Sequence, residues 1–208
     1  KYTFDSFVVG QNSQFAYSAS DAVSSSPGSS KFNPLLIYGG SGLGKTHLIQ
    51  AIGNRIKQTN PSKTIRYVVA EDFMREFVES LKNKTITEFS NYYRHDVDIL
   101  LMDDIQFLSG KLETQNEFFH IFNALHQAGK QIVLTSDNSP SDVTGLEDRL
   151  ISRFQWGLCV DIQQPDVETR EAIIRKKSES DHLKLADEII EYLAINIEGN
   201  IRLIEGAI

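Results

Sequence analysis

The chain has 208 residues, 40% hydrophobic and 24% charged, an ordinary composition for a soluble globular protein with one sizeable core and room for a small satellite. Its formal net charge of −7 excludes a general electrostatic drive onto nucleic acid or an anionic membrane, so any nucleic-acid contact must be a local patch. A lone cysteine, Cys159, excludes an intrachain disulfide framework and suits a reducing cytoplasm, and no apolar run approaches the ~20 residues of a membrane-spanning helix.

The opening stretch 4–10 is apolar and ends in Val8-Val9-Gly10, ahead of a polar turn at Gln11-Asn12. Beyond it Phe15, Ala16, Ala19, Ala22 and Val23 recur at helical spacing. Residues 24–33, rich in Ser, Gly and Pro, read as a loop. Leu35-Leu36-Ile37-Tyr38 is a short, wholly apolar run of the kind buried in a parallel sheet.

That strand runs straight into Gly39-Gly40-Ser41-Gly42-Leu43-Gly44-Lys45-Thr46, which fits G-x-x-x-x-G-K-[ST] at every specified position. Glycines let backbone N–H groups curl around a phosphate, Lys45 reaches the outer phosphates, and Thr46 offers a hydroxyl to Mg²⁺. The amphipathic helix that follows, with Leu48, Ile49, Ile52 and Ile56 as its apolar stripe, points its positive end at the same anion. A glycine-rich turn that binds nothing is the plain alternative, but a strand before and a helix after are the context the motif requires. The expectation is an ATP or GTP site. His47 reads as a packing residue of this helix, which Asn60-Pro61 stops.

Residues 64–70 read as a second strand, and 71–81 and 85–93 as two short helices joined by Lys82-Asn83-Lys84. Val97-Asp98-Ile99-Leu100-Leu101-Met102-Asp103-Asp104 reads as a third strand ending in two carboxylates. A helix marked by Phe118, Phe119, Ile121, Phe122 and Leu125 closes at Gly129, a fourth strand spans 132–135, a helix 146–154, and a fifth strand 157–162. From 166 onward no strand signal remains, only three amphipathic helical patterns; the last, at 201–208, reads as a helix cut off midway. The alternation predicts a three-layer α/β fold with a five-stranded parallel sheet over 1–163 and a small helical lid over 164–208.

Four features add chemistry to the glycine loop. An acid delivered by an apolar strand is the second half of such a site, with Asp103 serving the metal and Asp104 orienting or deprotonating the attacking water. Asp137 follows the fourth strand and is placed to sense the γ-phosphate; a register shift to Ser136 or Thr135 is the alternative, as is a simple turn residue. Arg149 and Arg153 lie four apart on one helix face, either paired locally with Glu147 and Asp148 or reaching a neighbouring subunit's nucleotide. Arg202 begins the last helix, where it is either a solvated surface arginine or, placed over the nucleotide, a residue that reports the phosphates to the lid.

Together these stretches resemble the AAA+ module of the DnaA family, the bacterial chromosomal replication initiators. The resemblance is carried by the loop at Gly39, Asp103-Asp104-Ile105-Gln106-Phe107, the run from Leu146 through Arg149 and Arg153 to Phe154-Gln155-Trp156-Gly157, and Asn200-Ile201-Arg202. Phe7-Val8-Val9-Gly10 and Phe118-Phe119-His120-Ile121-Phe122-Asn123-Ala124-Leu125 add to it. It implies a slow ATPase that acts as an assembly switch, with ATP or ADP and Mg²⁺ as cofactors. Val8, Val9, Gly10 and Asn12 would border adenine, and Gly39, Gly40, Ser41, Gly42, Leu43, Gly44, Lys45 and Thr46 would hold the phosphates and metal. Asp103 and Asp104 would be the Walker B pair, Asp137 sensor 1, Arg153 a trans-acting arginine finger and Arg202 sensor 2. The paired helices of 71–93 would line a channel gripping one DNA strand, with Val78 and Lys82 as its leading candidate contacts, and Lys111, in the loop after the Walker B strand, would be a further nucleic-acid contact.

The implied partners are other copies of the chain through Arg153, single-stranded and origin DNA, and a replicative helicase or regulators through domains absent here; the implied location is cytoplasmic. Two residues depart from the family pattern. Glu113 stands where a basic strand-contacting residue is expected, and Leu203 where an acid should follow the sensor 2 arginine. The alternatives are a helicase loader or initiator-regulating paralogue, a small-molecule P-loop kinase, and a nucleotide-holding scaffold. The kinase would need arginines clustered on its lid, whereas Arg153 and Arg202 lie far apart in the chain.

Overall fold

The computed structural model describes residues 2–207 except 30, 198, 200, 202, 204, 205 and 207. Sensor candidate Arg202 therefore lies outside the described residues. In chain order the elements are α1 (Gln14–Ser25), β1 (Leu35–Tyr38), α2 (Lys45–Thr59), β2 (Ile65–Val69), α3 (Ala70–Lys82), α4 (Ile86–Asn91), β3 (Ile99–Asp103), α5 (Leu112–Gln127), β4 (Gln131–Ser136), α6 (Asp148–Phe154), β5 (Leu158–Asp161), α7 (Val167–Ser180) and α8 (Asp187–Asn196). All five strands pair in parallel, in the order β2-β3-β4-β1-β5.

Strands β1, β3 and β4 are buried at almost every position because both of their faces are covered. Successive side chains alternate between two cores. Leu36, Leu100, Met102, Ile132 and Leu134 face Phe73, Phe118, Phe122 and Phe154 from α3, α5 and α6. Leu35, Ile37, Ile99, Leu101 and Val133 face Val23, Leu48, Ile52 and Ile56 from α1 and α2. Among the described residues no helix is long and apolar enough to cross a membrane.

Most boundaries shift by one or two residues from the sequence expectation, and two of the shifts have a clear local reason. The third strand ends at Asp103, and Asp104 turns out of it with a left-handed backbone, φ 59°. A 3-10 turn, Ile105–Leu108, follows and leads into α5. Helix α4 runs on into a π turn, Tyr92–Asp96. There Tyr93 is fully buried against Phe73 and Phe89, while its hydroxyl donates to Glu76 at 2.8 Å.

After β5 the chain is helical in its described part. Asp166 caps α7 by accepting from the Thr169 N–H at 2.8 Å. Arg170 is buried and binds α7 to α8, donating to the carbonyls of Ala194 at 2.6 Å and Pro165 at 2.8 Å. Ile174, Ile190 and Ala194 form a small core of their own. The final described stretch reaches the sheet domain directly, since the Ile201 N–H donates to the Gly42 carbonyl at 3.0 Å.

Gly157 sets the start of β5. A Cβ there would lie 1.9 Å from the Pro34 carbonyl oxygen, and Leu158 N–H donates to that same oxygen at 3.0 Å. The backbone of 157 must pass this close for β5 to pair with β1. Gly157→Ala should therefore lower stability by about 1–3 kcal/mol, read as a fall in the urea midpoint at unchanged slope.

Candidate functional site

In this strand order β4 lies between β1 and β3, so the carboxyl end of β4 sits between the glycine loop and Asp103. Ligands of open parallel sheets bind at that edge. Here it opens into a cavity of about 530 Å³ lined by the loop from Ser41 to Thr46, Asp104, Gln106 and Asp137, by Val8 and Asn12 of the N-terminal segment, and by Thr169 and Ile201 beyond β5. Its residues come from distant parts of the chain, and only the fold brings them together.

The loop's conformation requires its glycines. Gly44 has φ 100°, and a Cβ there would come within 2.9 Å of the Phe7 ring. Lys45, only 5% exposed, directs its ammonium to the carbonyls of Gly39 at 2.6 Å and Gly40 at 2.9 Å and to Asp137 at 2.8 Å. This contact places Asp137, rather than Ser136 or Thr135, beside the lysine. Thr135 has a different position: its hydroxyl donates to Asp103 and accepts from the Asp104 N–H at 2.9 Å.

Asp103 is 2% exposed and takes hydroxyl donors from three elements: Thr46 at 2.8 Å, Tyr67 at 2.9 Å, and Thr135. Burial and the Asp103 carboxylate push the Tyr67 phenol well above its ordinary range, so it stays a donor. The Thr46 hydroxyl and the Asp103 carboxylate are paired hard oxygen donors. Among the described residues no cluster of three or more His, Cys, Asp or Glu side chains is present that would hold a metal by itself. This donor set fits Mg²⁺, which takes few protein ligands and keeps waters and phosphate oxygens.

Asp104 stands beside this centre, half-buried. Burial raises its carboxyl above the usual carboxylate range, and the Asp103 charge raises it further. Gln106, in the 3-10 turn, donates to Asp104 Oδ1 at 3.2 Å and accepts from the Asp137 N–H at 3.3 Å. Tyr67 and Gln106 were not singled out from the sequence. A tyrosine in an apolar strand and a glutamine after an acid carry no motif of their own.

The N-terminal segment closes the other side. Val9 is 38% exposed, and Asn12 donates to the Gln163 carbonyl at 2.9 Å. His47 packs as expected, its ring against Tyr2 and Phe7 and its Nε2 2.8 Å from the Thr3 carbonyl.

The arginine pair separates. Arg149 ion-pairs with Glu147 at 2.6 Å, the local pairing considered above. Arg153 has no carboxylate partner among the described residues; it donates to Asn123 at 2.8 Å and stacks 3.8 Å from the Trp156 ring. Neither arginine lines the cavity. Val78 is 39% exposed on α3, and Lys82, Lys111 and Glu113 are exposed.

Thr135→Val keeps shape but strands a buried carboxylate oxygen and a backbone N–H. It should cost about 1–3 kcal/mol in urea denaturation, whereas Thr135→Ser should retain most of the stability.

Comparison with known proteins follows the same pattern. Residues 1–161 match the family model described as the bacterial DnaA ATPase domain. The chromosomal replication initiator protein DnaA of Aliarcobacter butzleri is 57% identical over all 208 residues, which cover 46% of that protein. The chain thus spans about half the length of the initiators it matches. Domain III of the Thermotoga maritima initiator superposes with a TM-score of 0.96 at 48% identity, covering 99% of this chain and 85% of that one. A replication initiator DnaA solved with AMPPCP and single-stranded DNA gives 0.91 at 47% identity, covering 99% and 63%. Identity of this size along the whole chain favours the initiators over the helicase-loader alternative. The chain belongs to the bacterial DnaA ATPase domain family.

Proposed function

We propose that this chain is the ATP-binding and ATP-hydrolysing switch module of a chromosomal replication initiator, with a nucleotide-binding core over 1–163 and a lid over 164–208. The observation that carries the reading is the convergence of Lys45, Thr46, Asp104 and Asp137 on one cavity, with Asp103 hydrogen-bonded behind Thr46. A relative 47% identical carries an ATP analogue and single-stranded DNA, which supports the same ligand classes here.

Each residue has a role that its position suits. A phosphate entering the cavity offers Lys45 a charged acceptor in place of the loop carbonyls, and the loop N–H groups and the start of α2 add donors. Val8, Val9, Gly10 and Asn12 border the base. Mg²⁺, held by Thr46 and Asp103, neutralises phosphate charge when bound. Asp104, half-buried at the wall of the cavity, orients the attacking water and takes its proton. Asp137 sits on Lys45 and so senses what the lysine holds. Arg202 is assigned to the lid side of the phosphates from the family pattern alone.

Arg153 stands away from its own cavity with no carboxylate partner among the described residues. Its fixed charge and planar fork suit a phosphate on a neighbouring copy, so ATP occupancy would control a head-to-tail, helical assembly. The α3–α4 hairpin, with Val78 and Lys82 outward, and Lys111 would hold one strand of origin DNA and help melt it. Glu113 beside Lys111 weakens the second of these contacts. A replicative helicase or regulators would be further partners, and a cytoplasmic location fits this work.

Two measurements test the reading. Arg153→Ala should leave ATP affinity within about twofold while abolishing ATP-dependent growth in light scattering; assembly that survives would refute the trans role. Lys82→Ala should weaken single-strand binding equally across sequences and reduce its salt slope by about one phosphate contact.

A further inference from the structure

The carboxamide of Gln106 joins two groups that the motifs treat separately. Its Nε2 donates to Asp104 Oδ1 at 3.2 Å, and its Oε1 accepts from the Asp137 backbone N–H at 3.3 Å. The two ends demand opposite polarity, a donor toward a carboxylate and an acceptor toward an N–H, so the amide has one satisfied orientation. Among the described residues it is the one donor to the Asp104 carboxylate.

Asp104 needs such a tether. Its backbone is already held, with φ 59° and its N–H on the Thr135 hydroxyl, but neither constraint sets the direction of its side chain. Asp103 next to it is directed by three hydroxyls. Gln106 gives Asp104 its directing partner, and it ties that partner to the turn that carries Asp137 and, through Asp137, to Lys45. The glutamine also lines the cavity itself. Its backbone belongs to the short turn Ile105–Leu108, which Gln115 fastens from below by donating to the Leu108 carbonyl at 2.8 Å. The anchor of the carboxamide is therefore rigid rather than a free loop.

We propose that Gln106 is a positioning residue for hydrolysis: it aims the Asp104 carboxylate toward the site of the attacking water, in register with Asp137, and adds little to nucleotide binding. The proposal rests on the reading of Asp104 as the group that activates water. A base misplaced by about 1 Å costs up to roughly a hundredfold in rate, whereas binding of the phosphates relies on the loop and Lys45.

The test is single-turnover hydrolysis of ATP with saturating Mg²⁺, alongside equilibrium binding of a non-hydrolysable ATP analogue, at concentrations where the chain is assembled. Gln106→Met keeps the length and removes both hydrogen bonds; its rate should fall about ten- to a hundredfold with affinity within about twofold. Gln106→Glu keeps the acceptor for the Asp137 N–H but turns a carboxylate toward Asp104, so it should not recover the rate. On an Asp104→Asn background, Gln106→Met should have no further effect, because both act through one group.

A rate unchanged in Gln106→Met, or restored in Gln106→Glu, overturns the proposal. So does a loss of affinity that matches the loss of rate. If Asp104→Asn itself hydrolyses normally, the failure lies with the assignment of Asp104. If Asp104→Asn is inactive and Gln106→Met is normal, it lies with Gln106 alone.

Discussion

The structure depends on one buried carboxyl group. Asp103 ends β3 at 2% exposure, and a polar group there is tolerable only if its oxygens are bonded. Its partners come from three elements: Thr46 from the first turn of α2, Tyr67 from β2 and Thr135 from β4. Meeting the needs of this one side chain fixes the helix after the glycine loop against the carboxyl edge of the sheet. The same hydroxyls hold Asp103 where, in the proposed reading, it and Thr46 would offer oxygens to a divalent cation. Folding and the proposed chemistry therefore share a single set of contacts.

Around this centre the charges divide by exposure. Lys45 is buried and answered by Asp137, whereas Asp104 is half-buried and answered by an amide. The arginine helix lies apart from both. Arg149 is neutralised by Glu147, while Arg153 is held over the Trp156 ring and by Asn123, contacts that orient a guanidinium without satisfying its charge. That difference sets the two arginines apart, although in the sequence they look equivalent.

Much of the site was legible because its chemistry is local. Gly39 to Thr46 is one continuous motif flanked by a strand and a helix, and Asp103-Asp104 ends an apolar run; both keep their meaning without a fold. The apolar runs of β1, β3 and β4 identified a buried parallel sheet for the same reason. Tyr67 and Gln106 were not legible as site residues, and Thr135 was legible only as a register alternative to Asp137. Their roles come from what lies across a strand or a turn, and hydroxyls and amides are common enough in a sequence to carry no signal. The turn at Asp104 was missed because a left-handed aspartate depends on the Thr135 hydroxyl that receives its N–H.

By itself, then, the sequence determined the alternation of strands and helices, the phosphate loop, the acidic pair and the family to which they point. Each of these is written in residues adjacent in the chain or at a fixed spacing. Only the tertiary structure decided that β4 enters between β1 and β3, and with it that Asp137 meets Lys45 and Thr135 meets Asp103. Strand order goes with the packing of helices on both faces of the sheet, and it brings together residues as far apart as Lys45 and Asp137. The buried carboxyl of Asp103 then helps to hold that arrangement, because its oxygens are bonded by hydroxyls from α2, β2 and β4.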